Sequence, residues 1–142
     1  MRTGTIIAAL SLTIASAAFA HSGVKDPQVK AWMENMKSIA TETKTLGQMA
    51  RGMTPFDRDA AEAALASLEA HAARIPDVFA RPAEDPLSEA QPTIWTEPED
   101  FTRAATALRS AARLPVETAD DLRAAMGAIG STCKECHGRY RQ

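Results

Sequence analysis

Residues 118–141 run TADDLRAAMGAIGSTCKECHGRYR. Thr118, with Asp121 three residues on, has the spacing of a helix N-cap and its reciprocal partner. Leu122, Met126, Ile129, Cys133, Cys136/His137 and Tyr140 then recur every three or four residues, which predicts a helix with one apolar face. That face carries Cys133-Lys134-Glu135-Cys136-His137, a C-x-x-C-H motif. Two thiols three residues apart on a helix lie on one side of it, where each can form a thioether to a haem vinyl group. The adjacent imidazole then reaches the iron. The motif predicts one covalently attached haem c per chain, with Cys133 and Cys136 as the anchors and His137 as the proximal iron ligand. A redox dithiol would call for a preceding strand and a βαβ context, which are lacking. A zinc site would need a second Cys/His pair, and His21 and His71, the latter read as a surface helix residue, are isolated.

Three more helices read out upstream. Asp26-Pro27 is an N-cap followed by proline at the first helical position. From there Val29, Met33, Met36, Ile39, Ala40, Thr43, Leu46, Met49 and Ala50 form a helical stripe, and Gly52 stops it. A second helix follows Asp57, with Ala61, Ala64, Leu65, Leu68 and Ala72 on one face. Between Pro76 and Pro98 lie five of the eight prolines, so this segment is read as a long connection without an element of its own. A third helix begins near Pro98 and turns Phe101, Ala105, Leu108 and Ala112 inward. No segment alternates as a half-buried strand does. The expected fold is all-α: an antiparallel up-down-up-down four-helix bundle enclosing the haem.

The start of the chain stands apart. Arg2, the apolar run Ile6–Ile14 and Ala18-Phe19-Ala20 have the charge, core and cleavage pattern of a secretory signal peptide over residues 1–20. Its removal leaves residues 21–142 as one domain and takes the net charge from −2 to −3. The destination is read as the periplasm, with no membrane anchor after processing. The near-neutral charge argues against nucleic acid as a partner. Residues 21–142 hold 23 Ala against 26 larger apolar or aromatic residues, a thin core that a macrocycle would fill. Without haem the chain is therefore expected to fold poorly.

The sixth iron ligand must come from upstream, because no Met follows His137. Met126 is about 16 Å away along the same helix and cannot reach the opposite haem face. In an antiparallel bundle, the level of His137 on the first helix falls near position 33. That level brings in both Met33 and Met36 and leaves Met49 and Met53 at the far end.

The sequence resembles the cytochrome c′ family, the class II c-type cytochromes. The resemblance spans residues 21–142. It rests on Cys133 to Arg141 as C-x-x-C-H-x-x-[FY]-R, on Ile94-Trp95, and on Met36-Lys37 followed by Leu46, Met49, Gly52 and Phe56-Asp57. In the family's high-spin branch a nonpolar residue such as Leu holds the place of Met36 and the iron is five-coordinate. In the low-spin branch a Met there is the distal ligand. The resemblance thus implies His137 and Met36 as the axial pair, with Met33 the second choice. It also implies a propionate or proximal-side contact for Arg141. Trp32 stands where relatives usually carry an Arg able to pair with a haem propionate, which leaves Lys30, Lys37 or Arg141 for that task. Gly138 and Arg139 replace acidic residues common after the haem His, and the added charge would stabilise the reduced haem.

These readings lead to a periplasmic one-electron carrier with a low-spin haem. Its partners would be periplasmic electron donors and acceptors, and earlier the c-type haem attachment machinery; a homodimer is left open. No catalytic constellation is present, so an enzyme is not expected. The alternative is a high-spin or switchable protein that binds NO or CO.

Overall fold

The computed structural model describes residues 23–142. The predicted signal peptide and His21 lie outside the described residues. Six helices follow in order: α1 (Pro27–Ala50), α2 (Arg58–Ala73), α3 (Ile75–Val78), α4 (Thr93–Thr96), α5 (Pro98–Ala111) and α6 (Ala119–Tyr140). The four long ones close into a ring. α1 packs on α2 and α6, and α5 packs on the same two. Short links join α1 to α2 and α5 to α6, which sets neighbours antiparallel and gives the expected four-helix bundle. Among the described residues the only β pairing is one isolated bridge between Ala90 and Arg141.

Local chemistry sets the helix ends. Asp26 accepts from the backbone N–H of Gln28 at 2.7 Å and of Val29 at 2.9 Å, satisfying two donors that α1 cannot pair internally. Gly52 leaves α1 at φ 70°, a left-handed turn that suits glycine. Asp57 caps α2 through the N–H of Ala60. At α6, the N–H of Asp121 donates to Thr118 Oγ1 while Asp121 Oδ2 accepts from the N–H of Thr118, a complete capping box. The centre is sealed by Val29, Leu46, Leu68, Leu122 and Ile129, all almost wholly buried.

Three sequence readings need correction. The connection from Pro76 to Pro98 is not free of structure, since α3 and α4 each make one helical turn within it. Proline sits in the first turn of α3 and at the N-cap of α4, where its fixed φ favours a helix start instead of breaking one. The inward face of α1 is broader than its predicted stripe. Trp32 and Asn35 are buried, whereas Met33, Met36 and Thr43 are half-buried and Ala40 is exposed. His71, which reads from sequence as a surface residue, is half-buried: its Nδ1 lies 3.1 Å from Asn35 Oδ1, and Asn35 Nδ2 donates to the His71 carbonyl. This exchange across α1 and α2 satisfies a buried amide.

The loop after α3 is tied at two places. Asp85 accepts from the N–H groups of Lys25, Asp26 and Leu87 at 2.8–3.1 Å, and these bonds hold its carboxyl below the usual range. Farther on, Glu89 pairs with the Arg141 guanidinium at 2.5 Å. The N–H of Gln142 donates to the Glu89 carbonyl, and that of Gln91 to the Tyr140 carbonyl. The loop thereby joins both ends of the folded segment.

Candidate haem site

The half-buried Met33, Met36 and Thr43 share one surface of α1 with the exposed Ala40. Met33, Met36, Ala40 and Thr43 border a cavity of about 800 Å³ together with Val29, Trp32 and Ile39. α5 contributes Phe101, Ala104, Ala105 and Leu108, and α6 contributes Met126, Thr132, Cys133, Cys136, His137 and Tyr140. Leu87 to Ala90 of the tied loop, with Ile75, Phe79 and Ile94, complete the wall. Pockets for cofactors run to roughly 300–1,000 Å³ with mostly apolar walls, and this cavity has both properties.

Aromatic residues are few but not scattered. Five of the six in the described segment form one contact chain. Trp95 meets Trp32 at 5.4 Å between ring centroids, and Trp32 stacks on Phe79 at 5.0 Å. Phe79 meets Phe101 edge-on at 5.4 Å, and Phe101 meets Tyr140 at 5.1 Å. Both indoles are fixed by hydrogen bonds: Trp32 Nε1–H donates to the Val78 carbonyl at 2.6 Å and Trp95 Nε1–H to that of Phe79 at 2.8 Å. Trp32 therefore belongs to the apolar wall.

The thiols and imidazole suit covalent haem attachment. Cys133 and Cys136 are free and half-buried on the cavity side of α6. Burial raises the Cys133 thiol above its usual pKa; Cys136 is raised by burial and, less, by Cys133. His137 is shifted down, first by burial and then by the Arg141 cation, with Glu89 acting in the opposite sense. A neutral imidazole, the form this favours, keeps a lone pair for a metal. Tyr140 borders the cavity with a buried hydroxyl that has no hydrogen-bond partner among the described residues. Such a group costs about 1–3 kcal/mol unless a partner is supplied. Apolar walls, two anchoring thiols, an available imidazole and an orphaned hydroxyl together fit a haem.

A family model described as Cytochrome C' matches residues 27–141. The chain belongs to the cytochrome c′ family. It is 34% identical to cytochrome c-554 of Cereibacter sphaeroides over 96% of this chain and 97% of that protein. Its fold is similar to that of oxidized Rhodopseudomonas palustris cytochrome c556, with a TM-score of 0.73 and 27% identity over 83% of this chain and 98% of that one. It is also similar to the nitric oxide complex of a point mutant of Alcaligenes xylosoxidans cytochrome c prime, at 0.71 and 26% over 81% and 94%. The names c-554 and c-556 fit the low-spin branch that Met36 points to. As in other cytochromes of this family, the cofactor is covalently attached haem c. None of the described helices is long and apolar enough to cross a membrane.

Within this cytochrome c′ frame, Met33, Met36, Lys37, Cys133, Cys136, His137 and Arg141 all border the one cavity, whereas Lys30 is not in its lining. Nor is Arg139. It pairs with Glu97 at 2.6 Å and Asp100 at 2.8 Å and lies over the Tyr140 ring, so its charge is offset at α5 and the expected effect on the haem loses its basis. Sequence reading missed Phe79, Glu89, Lys44 and Arg51 as cavity residues. Phe79 and Glu89 come from the proline-rich connection, where no periodicity marks a face.

Proposed function

We propose that the protein is a periplasmic one-electron carrier, not an enzyme, with a low-spin haem held between His137 and Met36. The observation that carries this reading is the convergence of Cys133, Cys136, His137, Met33 and Met36 on one apolar cavity. Haem c supplies one-electron Fe(III)/Fe(II) chemistry when bound. The cysteines of α6 would fix it covalently, and His137 would present a neutral imidazole from the same helix. Met36 would bring a thioether from α1, which raises the potential and closes the site to small ligands. Packed residues from three helices would keep both ligands in place during electron transfer. Arg141, already engaged by Glu89, suits a proximal-side contact better than a propionate partner.

The carrier would receive its haem from the c-type attachment machinery and exchange electrons with periplasmic donors and acceptors. Residues 1–20 are read as the cleaved export signal and 21–142 as the working domain, alone or as a homodimer. The NO complex of a point mutant of the similar Alcaligenes xylosoxidans protein favours a second reading, in which Met36 is only packed, or yields to NO or CO.

Spectra of the reduced holoprotein with and without CO separate the two. Sharp low-spin α and β bands that CO leaves unchanged support the carrier. A high-spin spectrum that shifts with CO overturns it. Met36→Ala should create a CO-binding form, whereas Met33→Ala should not; the reverse result would move the ligand to Met33.

A further inference from the structure

We infer that Lys30, Lys37, Lys44 and Arg51 form a docking face for the acidic surface of a redox partner, beside the mouth of the haem cavity. The inference rests on the carrier reading. The four cations follow a strict seven-residue spacing on α1 and its C-cap. On a straight helix such positions drift by only about 20° per step, so they share one stripe. At 1.5 Å per residue the stripe is about 31 Å long. All four side chains are exposed, and Lys37, Lys44 and Arg51 border the cavity.

These charges have no counter-ion among the described residues. The ion pairs formed there all use arginines on other elements: Arg58, Arg103, Arg109, Arg113, Arg123, Arg139 and Arg141. Nearby acids do not neutralise the stripe. Glu89 is taken by Arg141, Glu42 accepts from Ser67 Oγ, and Glu34 is exposed without a partner. Arg51 is also folded back over its own helix. A Cβ at Gly47 would stand 3.1 Å from Arg51 Nη1, so the missing side chain makes room for the guanidinium. The two propionates of a haem would offset at most half of the four positive charges.

The chain as a whole is negative, at −2. A partner with a carboxylate-rich face would be repelled by most of the surface and attracted here. Local attraction of this kind orients encounter and raises association rates, and salt weakens it. It would bring the partner to the side of the molecule where the cavity opens.

The test uses reduced holoprotein and two small oxidants of opposite charge, ferricyanide and tris(phenanthroline)cobalt(III), followed by stopped flow from about 10 to about 200 mM salt. The inference expects the ferricyanide rate to fall roughly 3–10-fold with salt and the cobalt rate to rise. A Lys44→Gln/Arg51→Gln protein with an unchanged spectrum should show flatter slopes for both. Poly-L-glutamate should slow the ferricyanide reaction of the native protein at low salt. Slopes that follow the negative net charge, or that ignore the double substitution, overturn the docking face and leave the carrier reading standing. Exchange with neither reagent overturns the carrier reading and this inference with it.

Discussion

At the scale of single residues, the cost of a substitution follows what the side chain faces. Leu122 has no solvent exposure and sits where α6 meets the bundle centre. Leu122→Ala should destabilise the holoprotein by about 2–5 kcal/mol, read from guanidinium unfolding. Leu87→Ala should cost under about 1 kcal/mol in the same measurement, because that side chain is already 49% exposed. Chemistry-bearing residues were the most legible from sequence. Cys133, Cys136 and His137 announce themselves by spacing, since thioether attachment tolerates few arrangements. Trp32 was legible only as a departure from a family pattern. Its role in the wall comes from Phe79 and Trp95, both distant in sequence and in a segment without periodicity. The choice between Met33 and Met36 lies beyond helical height, as both border the cavity.

Among the elements, α2 was read most completely: Ala61, Ala64, Leu65, Leu68 and Ala72 are all buried. Its apolar face is narrow and has one destination, the bundle centre. α1 has two, with Asn35 exchanging hydrogen bonds with His71 of α2 while Met33, Met36 and Ala40 border the cavity. A single stripe cannot describe two faces, which is why Trp32 and Asn35 fell outside it. The tied loop carries a pH dependence. Asp85 is held below its ordinary pKa by the N–H groups of Leu87, Asp26 and Lys25, in that order. A carboxylate with a depressed folded pKa contributes stability that is complete above the unfolded value of about 3.9. That stability is lost as the pH falls through the lower folded value. Acid unfolding of the holoprotein should therefore steepen below about pH 4. Asp85→Asn should be less stable at neutral pH and lose less on acidification, as followed by circular dichroism. An unchanged acid limb in that variant would remove Asp85 from the account.

Over the whole molecule, core and cofactor site are one feature. The cavity runs along α1 from Val29 to the C-cap Arg51 and is walled by α5 and α6, with the aromatic residues Trp32, Phe79, Phe101 and Tyr140 in its lining. Until a cofactor fills the cavity, the apolar side chains of α1, α5 and α6 that face it lack packing partners on that side. A Cys133→Ala/Cys136→Ala chain without haem should accordingly lose much of its helicity and its cooperative thermal transition. Native circular dichroism with a sharp transition would contradict this. The loop at 85–91 is fastened to residues 25–26 on one side and 140–142 on the other, so its second fastening forms only after every other described element has been synthesised. The strap ties Asp85 to Lys25 across 60 residues and Glu89 to Arg141 across 52, so its closure carries a loop-closure cost that contacts inside a single helix do not.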